Sequence, residues 1–330
     1  TQGKHEEAAK AFREALALDE KAFGRDHVKL IGPLSGLGEA LVNLRQFEQA
    51  EAAGARIVDI VGRASGPWEP SLAQRLHNNA YVYRTAERYA MAEALYACVV
   101  AILKNVPGDR PAARQALLGD ALASEGYMCR AQGKYLRAEE CHRQALDVRE
   151  RIEGPDGLGA AQSLNDLGVI CLEQGRYAQA EEFLMRSLAA REKATGAASM
   201  LLRQNYHNLG LVYMAQRRLG LAETALRRAA AIEGTHRLSE LRRRAVPVDA
   251  ELEACVREYG LHELGHVYLM RGQAHQAEEI YRRSTAAIER MEGPGNLLAV
   301  ACRKDLADAC LAQGKLREAR GLFERALAMR

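Results

Sequence analysis

Small and apolar residues return along this chain at helical spacing. Leu164, Leu167, Gly168 and Cys171 fall at i, i+3, i+4 and i+7, which is one face of an α-helix. Tyr206, Leu209, Gly210 and Tyr213 repeat the pattern, and Leu261, Leu264, Gly265 and Tyr268 repeat it again. A second helical pattern alternates with the first, as in Ala222, Leu226 and Ala229 or Ala319, Phe323 and Ala326. It opens on one phrase, Gln174-Gly175-Arg176-Tyr177-Ala178-Gln179-Ala180-Glu181, whose copies begin at Gln132 and Gln216, 42 residues to either side. Further copies surround Phe47 to Ala50, Tyr89 to Ala92, Ala274 to Ala277 and Leu316 to Ala319. A fixed period between about 20 and 50 residues marks stacked helical repeats. The class this predicts is all-α, an α-α superhelix of about seven helix-turn-helix repeats behind a single leading helix.

The predicted boundaries follow the period: a partial repeat over 1–23, then repeats over 24–65, 66–107, 108–153, 154–195, 196–234, 256–292 and 293–330. The whole chain is then one solenoid. The largest break lies between Leu219 and Ala274, which are 55 residues apart. Its excess, 235–255, contains Arg242-Arg243-Arg244 and Pro247 and reads as a solvated loop or an extended helix, with a docking or regulatory insertion as the sharper reading. Glycine or alanine recurs inside each first helix (Gly38, Ala80, Gly126, Gly168, Gly210, Gly265, Ala307), which implies close approach of neighbouring helices, because a mid-helix glycine costs up to ~1 kcal/mol. Gly24, Gly66, Gly108, Gly154 and Gly196 sit where a left-handed residue would end a helix.

The repeats resemble tetratricopeptide repeats (TPR) in their Leu-Gly-x-x-Tyr and Ala-x-x-x-aromatic phrases. The 42-residue period and the loop Glu-Lys-Ala-Phe-Gly-Arg-Asp-His at 20–27 are similar to the kinesin light chain-like subtype, whose repeats are about two helical turns longer than the usual unit. The resemblance covers the chain. It implies a non-enzymatic protein–protein interaction module, an adaptor, scaffold or sensor within a larger cytoplasmic protein, with first helices lining a concave groove that takes a peptide or protein segment. The ends lack the polar caps such stacks need, so flanking sequence or self-association through uncapped ends is expected.

In that frame, the two positions before each Leu-Gly pair should face the groove. They are His77-Asn78, Ala123-Ser124, Asn165-Asp166, His207-Asn208, His262-Glu263 and Lys304-Asp305, with Arg84 and Arg130 adding positive charge. A polar column of this kind can satisfy the backbone of an extended peptide. Glu258, Glu263, Asp305 and Asp308 make the later repeats more acidic, so the ligand's basic part should lie there.

Composition narrows the chemistry. With 46 basic and 43 acidic residues the net charge is +3, too balanced for the footprint of a nucleic-acid binder. Seven cysteines without a Cys-x-x-Cys pair, three of them (Cys129, Cys171, Cys310) in one core-facing slot, read as buried thiols. No apolar run is long enough to span a bilayer. Trp68 should pack over its own loop. One stretch, His262-Glu263-Leu264-Gly265-His266, matches the zinc-peptidase motif His-Glu-x-x-His. It is also the repeat phrase His207-Asn208-Leu209-Gly210-Leu211 with two substitutions, and only Glu278 and Glu289 offer themselves as a third ligand. The expectation is therefore no catalytic residue, cofactor or metal, with a zinc metallopeptidase as the alternative.

Overall fold

The computed structural model describes residues 2–64, 68, 70–105, 111–197, 199–244, 247–293 and 295–328. Gly66 and Gly108 lie outside them. Among the described residues the secondary structure is helical throughout. In order the helices are α1 (Gln2–Phe23), α2 (Ile31–Asn43), α3 (Phe47–Arg63), α4 (Pro70–Thr85), α5 (Tyr89–Asn105), α6 (Ala112–Ala131), α7 (Tyr135–Glu153), α8 (Leu158–Glu173) and α9 (Tyr177–Thr195). They continue as α10 (Met200–Ala215), α11 (Leu219–Arg243), α12 (Ala250–Tyr259), α13 (His262–Met270), α14 (Ala274–Glu292), α15 (Leu297–Ala312) and α16 (Leu316–Leu327). A short 3-10 turn, Val28–Leu30, precedes α2. A leading helix and seven helix pairs result, the sixth pair having its first helix broken at Gly260 into α12 and α13.

The chain forms two compact units, Thr1–Ile170 and Cys171–Arg330, with the junction inside α8. Unit 1 packs a continuous core from Ala9, Leu34, Leu41, Ile57, Leu76, Tyr83, Leu95 and Val99 through Leu122 to Val148. Trp68 is buried in this core. Unit 2 packs Leu184, Leu209, Tyr213, Leu226, Leu264, Tyr281, Leu306 and Leu322. Cys129, Cys171 and Cys310 are fully buried thiols, in keeping with their shared slot.

Each turn inside a helix pair is made the same way. The backbone N–H of Gln46 donates to Leu41, Arg88 to Tyr83, Lys134 to Cys129, Arg176 to Cys171, Arg218 to Tyr213, Gln273 to Tyr268 and Lys315 to Cys310. This is the six-to-one bond that closes a helix when the residue before it is left-handed. Gly133, Gly175, Gly272 and Gly314 occupy that position with φ of 72–76°. In the other three turns Arg45, Glu87 and Arg217 hold it, with φ of 58–61°.

The mid-helix glycines make room for side chains, where the sequence implied helix backbones in contact. A Cβ on Gly210 would lie 2.6 Å from Leu226, one on Gly265 2.3 Å from the Tyr281 ring, and one on Gly38 2.7 Å from the Tyr83 hydroxyl. The large neighbour fills the space the missing methyl leaves. Most of the described part of the excess segment is helical: α11 runs on to Arg243, and α12 starts at Ala250 with Asp249 accepting the Leu252 N–H at 2.7 Å.

A polar clasp joins consecutive pairs. The glutamate after the phrase's Ala in α3, α5, α9, α11 and α14 meets a cation that follows the next pair's first helix. The ion pairs are Arg88–Glu51 at 3.6 Å, Lys134–Glu93 at 2.7 Å, Arg218–Glu181 at 2.6 Å, Arg271–Glu223 at 2.6 Å and Lys315–Glu278 at 2.6 Å. A turn glutamine adds a donor to Glu93, Glu181 and Glu278. A second device repeats at the 42-residue period: Arg149 donates to Ser163 and the Gly159 carbonyl, and Arg191 to Asn205 and the Leu201 carbonyl.

Two tests follow. Replacing Glu87 or Arg217 by glycine relieves a left-handed side-chain residue worth about 1–2 kcal/mol, part of which is lost to unfolded-chain entropy. The expected gain is about 0.5–1 kcal/mol in urea unfolding, with Gly175→Ala losing a similar amount. Burial would raise the Glu278 carboxyl, but hydrogen bonds from Lys315, Arg282 and Gln313 outweigh it and hold it at about 2, against an ordinary 4.5. A depressed carboxylate stabilises above its unfolded pKa. That contribution should fade as pH falls from about 4.5 to about 2. Glu278→Gln should flatten this acid arm and cost about 1–3 kcal/mol at neutral pH.

Candidate polypeptide-binding surfaces

The positions before each Leu-Gly pair do not form one uniformly exposed column. Neighbouring residues of a helix point about 100° apart. In His77-Asn78, Asn165-Asp166, His207-Asn208 and Lys304-Asp305 one side chain is more exposed than the other, and which one differs between repeats; in Ala123-Ser124 and His262-Glu263 both are half-buried. Asn165 is fully buried and Asn208 is 8% exposed, so neither presents its side chain to an open surface.

In unit 1, α4 and α6 carry the outward features. His77 is half-buried and edge-on to the Tyr96 ring at 5.4 Å; burial lowers its pKa, opposed by Asp120 and the neighbouring Asn78. Asn78 is exposed, its side-chain oxygen accepting from Gln74 at 3.1 Å. Arg84 stacks on Tyr81 with 4.5 Å to the ring centroid, and Arg130 on Tyr127 with 5.3 Å. Both tyrosines are nearly half exposed. The register is the same in the two repeats: tyrosine one residue after the Ala80 or Gly126 slot, and arginine one turn later. Sequence reading found the arginines and missed the tyrosines, although their shared register was available as a signal. Ala123 and Ser124 are half-buried. Asp166 accepts from Gln162 at 2.9 Å and faces the buried His142 at 3.8 Å.

In unit 2, α10, α11, the Tyr259–Glu263 corner and α15 enclose a cleft of about 330 Å³. His207, His262 and Glu263 line it together with Arg203, Tyr259 and Leu298. The wall is braced by Glu233, which pairs with Arg203 at 3.0 Å and Arg237 at 2.8 Å, and Arg237 lies 3.7 Å from the centre of the Tyr259 ring. Burial lowers the pKa of His207 and of His262, with Glu263 opposing it in both. Neutral imidazoles beside a carboxylate can donate and accept in one place. Glu258 is taken up by Arg283, and Lys304, largely exposed, lies 3.5 Å from Asp308 and 3.8 Å from Asp305. The acidic character read from the sequence is therefore partly neutralised inside the unit.

The His-Glu-x-x-His stretch opens α13. Glu278 and Glu289, the carboxylates the sequence offered to it, are engaged elsewhere: Glu278 in its clasp and Glu289 with Arg303 at 2.7 Å. Asp305, assigned to the groove, stands against both imidazoles instead.

Tetratricopeptide repeat profiles match residues 120–193 and 258–330, residues 1–29 and residues 204–236. These stretches cover more than half of the chain, which belongs to the tetratricopeptide repeat family. None of the curated proteins matches the sequence significantly. Solved structures share the fold. BtubC (BKLC) from P. vanneervenii is 19% identical over 74% of this chain and 92% of its own, with a TM-score of 0.55. A Podosopora anserina protein with nearly identical TPR-like repeats of the kinesin light chain kind is 20% identical over 68% of this chain and 97% of its own, with a TM-score of 0.53. A Rap protein complexed with Competence and Sporulation Factor is 14% identical over 99% of this chain and 96% of its own, with a TM-score of 0.51. The kinesin light chain-like reading of the repeats agrees with these matches. Among the described residues no helix is long and apolar enough to cross a membrane.

His142, 2% exposed behind Asp166, gives a pH test. Burial lowers its pKa below the ordinary 6.5; Asp166 opposes this, while Arg149 and Arg130 reinforce it. The unfolded chain then takes up this proton first. Stability should fall as pH drops below about 6.5, until the folded imidazole also titrates. Urea unfolding at pH 7.5 and 5.5 should show a smaller difference for His142→Gln than for wild type.

Proposed function

We propose that the chain is a non-enzymatic interaction module that binds segments of other polypeptides on the faces of its first helices. The observation that carries this is the unit 2 cleft: the His207 imidazole and the Glu263 carboxylate beside an apolar floor, with its charged wall already paired within the protein. Such a surface offers hydrogen bonds to a peptide backbone and leaves the Glu263 carboxylate for a basic side chain. The family supports the reading, since stacked helical repeats bind through extended surfaces. So does the Rap structure, which shares the fold and is complexed with a factor.

On unit 1, the Tyr81–Arg84 and Tyr127–Arg130 pairs, with His77 and Asn78 beside them, suit acidic or aromatic side chains of a ligand. Glu263 and Asp308 on unit 2 suit basic ones. Asn165 and Asn208 serve these surfaces from within, by fixing the helices that carry them. An interaction module is favoured over a peptidase because His262 and Glu263 occupy the ordinary repeat register of His207 and Asn208.

Peptides selected from a displayed random library against the whole chain should bind His207→Ala/Glu263→Ala at least about tenfold more weakly, a loss of about 1.4 kcal/mol. Anisotropy titrations would measure it. Equal binding to the double variant, or cleavage of the selected peptides, would overturn the reading.

A further inference from the structure

Three side chains of unit 2 converge on one point. His262 Nε2 lies 3.4 Å from Asp305 Oδ2, and His266 Nε2 lies 3.6 Å from the same oxygen. All three ligand atoms lie within 4.8 Å of one another. The two imidazoles stand one turn apart on α13, rings nearly perpendicular with centroids 5.4 Å apart, and Asp305 comes from α15 of the next repeat. The carboxylate is mostly shielded, at 13% exposure, while its other oxygen faces Lys304.

The distances discriminate between two accounts. A charge-assisted hydrogen bond from imidazole to carboxylate would close to about 2.7–2.9 Å. Ligands held at about 2.1 Å by a tetrahedral metal ion stand about 3.4 Å from one another. The observed 3.4 and 3.6 Å, both to Asp305 Oδ2, match two edges of such a tetrahedron. The outer nitrogens are also engaged: His262 Nδ1 lies 3.1 Å from the Cys302 sulfur and His266 Nδ1 3.0 Å from the Tyr281 hydroxyl. Both partners can accept the Nδ1 proton, which frees each Nε2 lone pair to face inward. An imidazole whose second nitrogen is oriented in this way is the usual form of a metal ligand.

The geometry points to a divalent transition-metal site, of the zinc class, formed by His262, His266 and Asp305. Three protein donors leave a fourth position on the side of His266, whose side chain is 36% exposed. Softness favours zinc or cobalt over magnesium or calcium, since two of the three donors are imidazoles. The ion would tie α13 to α15, the first helices of consecutive repeats, across a step where the chain has just been broken at Gly260. Its open position would accept water or a carboxylate from a bound polypeptide. The role is structural and recognitional, and it needs no bond-breaking step.

The test uses the whole chain, stripped with chelator and titrated with Zn²⁺ by calorimetry and with Co²⁺ by absorption. Wild type should bind one equivalent of zinc, show the intense visible bands of tetrahedral cobalt, and melt higher with zinc than without it. His266→Ala and the isosteric Asp305→Asn should abolish the cobalt bands and weaken zinc by more than about tenfold, and Tyr281→Phe should weaken it about tenfold. His275→Ala, an exposed histidine on α14, should leave binding unchanged. Circular dichroism of the metal-free variants separates loss of a ligand from loss of fold, and the wild-type cobalt spectrum stands without any variant. Failure of wild type to bind, binding retained by Asp305→Asn, or a sulfur-to-cobalt charge-transfer band implicating Cys302 would overturn the site. Peptide binding through His207 and Glu263 stands or falls separately.

Discussion

A helix pair of this kind cannot bury its apolar face alone. Leu209 and Tyr213 need Leu226 from their own pair and side chains such as Leu264 and Tyr281 from the next. Stability therefore depends on contact between successive pairs. The apolar contact is non-directional and would allow pairs to slide or rotate. Register is added by the polar clasp, in which a buried or half-buried glutamate accepts from a turn cation and a turn glutamine of the following pair. Breaking one partner leaves the other without compensation, which makes the clasp a stronger constraint on register than its net energy suggests.

The functional surfaces inherit their positions from this stack. A first helix is held on its core side by packing of the repeated apolar phrase and at its C-terminus by the bond into the Leu, Tyr or Cys carbonyl. What remains is a strip of outward positions. On α4 and α6 that strip presents tyrosine stacked with arginine; on α10, α13 and α15 it presents imidazoles and carboxylates. The same scaffold thus carries two chemistries, selected by a few residues that the core does not constrain.

The sixth pair departs from the others. Its first helix is broken between α12 and α13, and α11 extends beyond its usual length to reach it. The cleft and the His262–His266–Asp305 cluster both adjoin this break. A break in a regular stack re-aims side chains that would otherwise sit in register, which is one way a repeat array acquires a specific site.

The sequence by itself determined the all-α class and the helix pairs, through local periodicity, and the left-handed Gly24, Gly154 and Gly196, through glycine at a fixed offset; the family came from the resemblance of its repeated phrases. The left-handed Arg45, Glu87 and Arg217 inside the pairs carried no such signal. The sequence also placed Cys129, Cys171 and Cys310 in the core. The tertiary structure decided the rest. Asn165 and Asn208 turned inward because rotation about a helix axis is set by the neighbours it packs against, which no single helix records. Gly210 and Gly265 proved to hold space for Leu226 and Tyr281, a fact about the facing side chain. Asp305 joined His262 and His266 because stacking brings positions about 40 residues apart to within a few ångströms. A linear motif shows the two histidines; only the fold supplies the third group.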